Sequence, residues 1–215
     1  SLLQEMGIAA KAAANSLRKA STKQKNEGLL AMEAALYTHQ DAILTANAKD
    51  IAAAAANGLP TPMIERLTLN PQRIKGMADS FKEIAQLPDP VGYVEEMTKS
   101  ADGLTIGKQR VPLGVIGIIY ESRPNVTADA SALCFKSGNA VILRGGKEAL
   151  ESNKAIMTAL QSGLADAGFA KETPQLIPDP SRELASEFMK MNGYLDCLIP
   201  RGGAGLIQNV LKNAT

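Results

Sequence analysis

Four short apolar runs in the second half of the chain constrain its fold more than any other feature. They are residues 115–120, 140–143, 175–177 and 195–199. A short, nearly continuous apolar run is what a strand covered on both faces requires. Each run leads through a polar or glycine-rich turn into a stretch with helical character. The predicted helices are 126–136, 147–167 (closed by Gly168), 181–191 and one from about Ala204. Strands alternating with helices imply right-handed crossovers and a parallel sheet. Ligands of such sheets bind at the carboxyl ends of the strands. The loops that matter are therefore 121–125, 144–148, 178–182 and 200–205.

Residues 1–88 follow a different pattern. They are rich in alanine and poor in β-branched side chains, which predicts helices. Ser21 with Gln24 predicts a capping box that opens a helix running to about Tyr37. A helix over 41–57 is stopped by Gly58. Thr61-Pro62 and Asn70-Pro71 each place a capping residue before a first-turn proline. The helix after Asn70 ends near Leu87, ahead of Pro88 and Pro90. The alanine tract at 51–56 reads as a small-residue face for close packing. Beyond Pro90, residues 91–98 and 104–111 predict two strands joined by the turn Ser100-Ala101-Asp102-Gly103.

The 215 residues are 45% apolar and 21% charged, sufficient for an ordinary core without disulfide or metal support. A net charge of +1 leaves no footprint for general binding to nucleic acid or a membrane surface. Cys134 and Cys197 are far apart and read as free, structural thiols in a reducing compartment. With His39 the one histidine, no metal-ligand spacing exists, and His39 reads as a surface or capping residue. There is no apolar run of membrane-spanning length and no signal-peptide pattern, so the expected location is the cytoplasm.

Arg144-Gly145-Gly146-Lys147-Glu148 joins a buried strand to a long helix. Its glycines admit a ligand to the backbone, the helix start offers free N–H groups, and Arg144 and Lys147 add charge. Such a turn suits a phosphate or an adenine ribose; its bland alternative is a tight turn with solvated charges. Pro200-Arg201-Gly202-Gly203-Ala204-Gly205 repeats the design, although it is not the G-x-G-x-x-G fingerprint. In Glu121-Ser122-Arg123-Pro124-Asn125, Asn125 is either a helix N-cap or an amide donor to a developing oxyanion. Arg123 either binds a carboxylate or phosphate, or pairs with nearby Glu121.

The run Arg110-Val111-Pro112-Leu113-Gly114-Val115-Ile116-Gly117-Ile118-Ile119-Tyr120, continuing into Glu121-Ser122-Arg123-Pro124-Asn125-Val126-Thr127, resembles the aldehyde dehydrogenase superfamily. Together with Gly138-Asn139-Ala140-Val141-Ile142-Leu143-Arg144-Gly145-Gly146-Lys147-Glu148 and Leu198-Ile199-Pro200-Arg201-Gly202-Gly203-Ala204-Gly205-Leu206, it is similar to one family within it, the γ-glutamyl phosphate reductases. Ala46-Asn47-Ala48-Lys49-Asp50 and Ala56-Asn57-Gly58-Leu59 fit the same resemblance, which covers essentially the whole chain.

The resemblance implies an aldehyde-dehydrogenase-like α/β fold. Its parts would be a Rossmann-type parallel sheet (113–215), an N-terminal helical segment (1–88) and a β-hairpin arm for oligomerisation (91–112). It implies NADPH-dependent reduction of L-glutamyl 5-phosphate to L-glutamate 5-semialdehyde and phosphate in proline biosynthesis. A cysteine thiolate forms a thioester that hydride then reduces. Asn125 matches the oxyanion-stabilising asparagine. Arg144, Gly145, Gly146, Lys147 and Glu148 match the first cofactor turn, Gly202 and Gly203 the pyrophosphate turn, and Arg123 a substrate contact. Lys147 stands where the superfamily often has glutamate, which favours the 2′-phosphate of NADP(H). Neither Cys134 nor Cys197 falls on the nucleophile's position, so the catalytic cysteine domain is expected to be absent from these 215 residues, leaving a chain that binds cofactor without turnover. The expected partners are the small-molecule substrate and further copies of the chain. The alternatives are a non-catalytic nucleotide-binding or interaction module, or a reductase of a different acyl phosphate or aldehyde.

Overall fold

A computed structural model describes residues 1–214; Thr215, the last residue of the 113–215 segment, lies outside them. Five helices come first: α1 (Leu2–Leu17), α2 (Thr22–Thr38), α3 (Gln40–Ala56), α4 (Thr61–Leu67) and α5 (Pro71–Gln86). A two-stranded antiparallel hairpin follows, β1 (Val94–Lys99) with β2 (Thr105–Gln109). The remainder alternates: β3 (Val115–Tyr120), α6 (Asn125–Lys136), β4 (Ala140–Arg144), α7 (Leu150–Asp166), β5 (Pro174–Leu176), α8 (Arg182–Phe188), β6 (Cys197–Arg201) and α9 (Ala204–Asn213).

The four later strands form one parallel sheet in the order β5-β4-β3-β6. Every residue of β3 is buried, as its unbroken apolar sequence requires. Leu3, Met6, Ala10, Ala13 and Ala14 of α1 pack on one face of the sheet, against Val115, Ile119, Ala140 and Ile142. On the other face Ile116, Ile118, Val141 and Leu143 meet Val126, Ala130 and Cys134 of α6 and Met157 of α7. Behind these helices a second layer joins α2 and α5 to α6 and α7 through Leu29, Met32, Phe81, Phe135, Ile156 and Leu160. The chain therefore has its sheet between helices on both sides, with α1 on one face and α2 and α5 extending the other flank.

Local chemistry explains most element ends. Ser21 accepts from the Gln24 amide and the Gln24 side chain returns to the Ser21 amide, the reciprocal pair of a capping box. Asn70 accepts from the Arg73 amide ahead of Pro71. Gly58 and Gly168 both take positive φ just past a helix end. His39 lies at the junction of α2 and α3, in a capping position.

Several boundaries differ from expectation: the helix expected over 181–191 ends at Phe188, the hairpin strands run Val94–Lys99 and Thr105–Gln109, and three others have a visible cause. Thr61 does not cap its helix: Pro60 supplies the extended residue before α4, and Thr61 is the first helical residue. The strand at 195–199 begins two residues later, at Cys197, because Asp196 is used as a tie. Its amide donates to the Val115 carbonyl, and its carboxylate accepts from the Val115 amide and from Lys11. The helix expected from Lys147 starts at Leu150, after a single 3-10 turn over Lys147–Ala149.

The last difference has a specific cause in α3. The Asp50 carboxylate accepts from the Glu151 amide (3.3 Å), the Ser152 amide (2.7 Å) and the Ser152 hydroxyl (2.6 Å). Asn47, one turn earlier, donates to Ser152 Oγ and to the Leu67 carbonyl and accepts from the Leu69 amide. Both side chains are buried. A carboxylate at the first turn of α7 satisfies its orphan donors and offsets its dipole. Asp50→Ala leaves these donors buried without a partner. It should lower stability by about 2–4 kcal/mol, read as a drop in the urea midpoint, with Asp50→Asn losing less. An unchanged midpoint for Asp50→Ala would contradict this assignment.

Candidate functional site

The parallel register brings three loops to one end of the sheet. Ile119 of β3 lies opposite Arg144 of β4 on one side and Pro200 of β6 on the other, and Tyr120 lies opposite Arg201. The segment from Glu121 to Asn125 therefore emerges between the two glycine-rich turns. Its first two residues join it to both. Glu121 Oε1 accepts from the Gly203 amide at 2.8 Å, and Ser122 Oγ donates to Glu148 Oε2 at 2.5 Å.

Below this rim Tyr120 is buried, and its hydroxyl is hydrogen-bonded to Thr127 Oγ1, which donates to Asn153 Oδ1. Burial pushes the phenol pKa up, with the Thr127 bond opposing. Asn153 Nδ2 is buried with no hydrogen-bond partner and lies against Gly145. The glycine turn is thus shaped by close approach. A Cβ on Gly145 would strike the Asn153 amide and the Tyr120 ring, and one on Gly146 would strike the Ser122 hydroxyl.

The cofactor-type residues of this turn are brought together, but differently from expectation. The amides of Glu151 and Ser152 at the start of α7 are not free for a ligand, because Asp50 occupies them. Lys147 is exposed, whereas Glu148 is half-buried against Ser122. Arg144 is half-buried: its Nη2 donates to the Pro180 carbonyl at 2.8 Å, and its Nε is buried without a partner. Burial lowers its pKa while Glu148 acts in the opposite direction. At the second turn Gly202 and Gly203 are exposed, with the Gly203 amide held by Glu121.

Asn125 is not an N-cap. Pro124 takes that position, and Asn125 is the first residue of α6. Its side chain is exposed, and Nδ2 donates to Asp129 Oδ2 one turn along the helix at 3.1 Å, leaving a second amide hydrogen free. Burial raises the Asp129 pKa against the lowering effects of Asn125, Arg201 and Ser80. Arg123 is exposed and forms no ion pair with Glu121; its backbone amide bonds the Glu121 carbonyl instead.

Several clefts surround this end of the sheet. One of 340 Å³ is lined by Tyr120, Glu121, Arg123, Arg144 and Glu148 together with Arg66. Its neighbour of 510 Å³ contains Asn125, Asp129, Arg66, Arg73 and Arg123. A third, between α8 and α9, is lined by Ile119, Ala185, Met189, Leu206 and Val210. A fourth lies over the first glycine turn and holds Arg144, Lys147 and Arg182. Arg182 falls in a loop that the strand pattern had singled out, and Asp129 stands four residues after Asn125, a spacing that pairs side chains on a helix. Arg66 and Arg73 come from the N-terminal helices and carried no such signal.

No protein-family model matches the chain. Over 99% of its length the chain is 56% identical to the γ-glutamyl phosphate reductase of Listeria innocua, and over 97% it is 52% identical to that of Clostridium botulinum. The chain is a homologue of the γ-glutamyl phosphate reductases. It spans about half the length of these curated relatives, 51% and 50% respectively. Among solved structures, the γ-glutamyl phosphate reductase of Thermotoga maritima superposes with a TM-score of 0.96 at 40% identity, covering 99% of this chain and 51% of that one. The reductase of Saccharomyces cerevisiae gives 0.92 at 32%, covering 100% and 55%. A probable aldehyde dehydrogenase of Listeria monocytogenes, 15% identical over 99% of this chain and 44% of its own, gives 0.75, which shows a shared fold. The α/β architecture is thus aldehyde-dehydrogenase-like, as the residues at 110–127 and 138–148 led us to expect.

The close packing of the first glycine turn is testable. Gly145→Ala forces the Asn153 amide or the Tyr120 ring to move and should cost about 1–3 kcal/mol in thermal or urea unfolding. Gly205→Ala, in open space on α9, should be neutral or stabilising. Equal stabilities for the two variants would contradict the packing argument.

Proposed function

We propose that this chain provides the cofactor-binding part of an NADPH-dependent reductase that converts L-glutamyl 5-phosphate to L-glutamate 5-semialdehyde and phosphate, a step of proline biosynthesis. The observation that carries the reading is the identity of 52–56% to γ-glutamyl phosphate reductases along nearly the whole chain. The relatives' names favour it over a non-catalytic module.

The residues present fit a dinucleotide. Ile119, Ala185, Met189, Leu206 and Val210 give the cleft between α8 and α9 an apolar wall that suits an adenine ring, with Arg144, Arg182, Ser186, Asn209 and Asn213 completing its lining. Arg144, Lys147 and Arg182 line the adjoining cleft over the first turn. Of the two carboxylates there, Glu148 accepts from Ser122 and Asp179 from the Ser181 amide. Three cations over a ribose position favour a 2′-phosphate, hence NADP(H) over NAD(H). Gly145 and Gly146 keep the turn flat, and Gly202 leaves its backbone open to a pyrophosphate at the second turn, where the Gly203 amide is held by Glu121. NADPH supplies hydride when bound; the protein's task is to hold and polarise what receives it. Asn125 keeps one amide hydrogen on Asp129 and offers the other to the oxyanion that develops on the substrate carbonyl. Arg123, exposed beside it, binds an anionic part of the substrate.

The chain's own thiols do not suit the nucleophile's role. Cys134 is buried among α6 and sheet residues, and burial pushes its pKa up to about 12. At neutral pH the buried group stays a thiol, whereas attack requires the thiolate. Cys197 is half-buried inside β6, with its backbone paired to Ile116. The attacking cysteine is therefore supplied from outside these 215 residues. The hairpin serves assembly: all residues of β1 and β2 are exposed, Met97 and Ile106 among them, and its edge is open to a second copy. Two free thiols suit the reducing cytoplasm.

Calorimetric titration tests the cofactor reading. NADPH should bind at least about tenfold more tightly than NADH, and Lys147→Ala or Arg182→Ala should abolish most of that preference, each removing about 1–2 kcal/mol. Equal affinity for the two nucleotides, or no change in either variant, would refute the 2′-phosphate assignment.

A further inference from the structure

We infer that Arg66, Arg73 and Arg123 together form the wall that recognises the substrate, and that the ligand they select carries two separated anionic groups, a carboxylate and an acyl phosphate. The inference rests on the reading just given and extends it from Arg123 to Arg66 and Arg73, to which nothing in the motifs pointed. Arg66 belongs to α4, Arg73 to the first turn of α5, and Arg123 to the loop after β3. The fold brings these distant positions to one cavity of 510 Å³ with Asn125 on its rim. A cavity of that size is ordinary for a small-molecule site.

Charge is the deciding feature. Among the described residues none of the three guanidinium groups forms an ion pair. The one carboxylate lining the cavity is Asp129, which is hydrogen-bonded to Asn125 and shifted toward its protonated form by burial. The three side chains are exposed, and three cations lining one cavity against a single committed carboxylate give it a positive surface that an entering anion complements. Glutamyl 5-phosphate matches this surplus of two, because its carboxylate and phosphate outweigh its ammonium by about two charges near neutral pH.

Geometry adds to charge. Arg73 Nη1 donates to the backbone carbonyls of Glu65 (2.6 Å) and Thr68, which fixes its guanidinium at the α4–α5 junction and leaves the rest of the fork available. A guanidinium held in place binds phosphate or carboxylate through two parallel bonds, with less ordering cost than a mobile one. Arg66 and Arg123 also line the 340 Å³ cleft beside Glu121 and Arg144. They form the boundary between the two clefts, where an anion is within reach of Asn125.

The test is binding of L-2-amino-5-phosphonopentanoate, a stable five-carbon compound with a carboxylate at one end and a phosphonate at the other. It is titrated calorimetrically into the purified chain at low salt, beside inorganic phosphate and NADPH. The phosphonopentanoate should bind at least about tenfold more tightly than phosphate, and Arg66→Gln or Arg73→Gln should each weaken it about tenfold. Melting curves confirm that the variants fold. If Arg73→Gln loosens the loop it anchors, Arg66→Gln, which breaks no backbone bond, decides. Equal binding of the two anions would contradict the two-group claim, and undiminished binding by the variants would overturn the arginine assignment. NADPH binding without phosphonopentanoate binding would defeat this inference alone. The reverse outcome would support it while defeating the cofactor reading.

Discussion

The functional end of this molecule depends on β3 being hydrogen-bonded along both edges. Its pairing with β4 and β6 sets Arg144, Pro200 and Arg201 beside Ile119 and Tyr120, so the segment after β3 has a glycine-rich turn on each side. At the opposite end the pairing is locked by Asp196, which bonds the Val115 amide and Lys11. Burial raises the pKa of this carboxyl, but the Val115 amide and Lys11 outweigh it, and the net shift is downward. A depressed carboxylate stabilises the folded state at neutral pH and loses that contribution as pH falls through its folded pKa. The lock at one end and the loops at the other are connected by six buried residues.

Internal carboxylates decide where external anions can go. On sequence alone both helix starts looked like phosphate sites. In the fold Asp50 fills the start of α7 and Glu121 reaches the start of α9 through Gly203. Beside the backbone amides left at the second turn, the rim presents side-chain cations to a ligand's negative charge: Arg144, Lys147 and Arg182 on one side, and Arg66, Arg73 and Arg123 on the other. In the proposed reading these guanidinium and ammonium groups act beside the backbone amides and discriminate between phosphate positions by where they stand.

Local signals in the sequence carried a good part of the fold. The capping box at Ser21, the Asn70-Pro71 start, the glycines at 58 and 168, and the apolar runs of β3 and β4 each depend on neighbours a few residues away, and each formed as read. Some failures are local, with Pro60 and Pro124 taking the cap positions read for Thr61 and Asn125, and others are long-range. The start of α7 moved because its cap comes from α3, a hundred positions earlier, and no periodicity encodes that contact. The onset of β6 moved because Asp196 is spent on Val115 and Lys11. At the site, Asn125 and the glycine turns were legible because strand-to-helix loops are where such sheets bind ligands. Arg66 and Arg73 were not, since only the tertiary fold brings α4 and α5 to the rim.

The most direct test of this account is an amide ¹H–¹⁵N correlation map of the chain titrated with NADPH. The account predicts shifts confined to the rim: Gly146 and Lys147, Ser181 and Arg182, and Gly202 and Gly203, with Asp102 and Gly103 of the hairpin turn unmoved. Shifts concentrated on the hairpin, on the exposed face of α1, or nowhere at saturating nucleotide would contradict a cofactor site at the carboxyl end of the sheet.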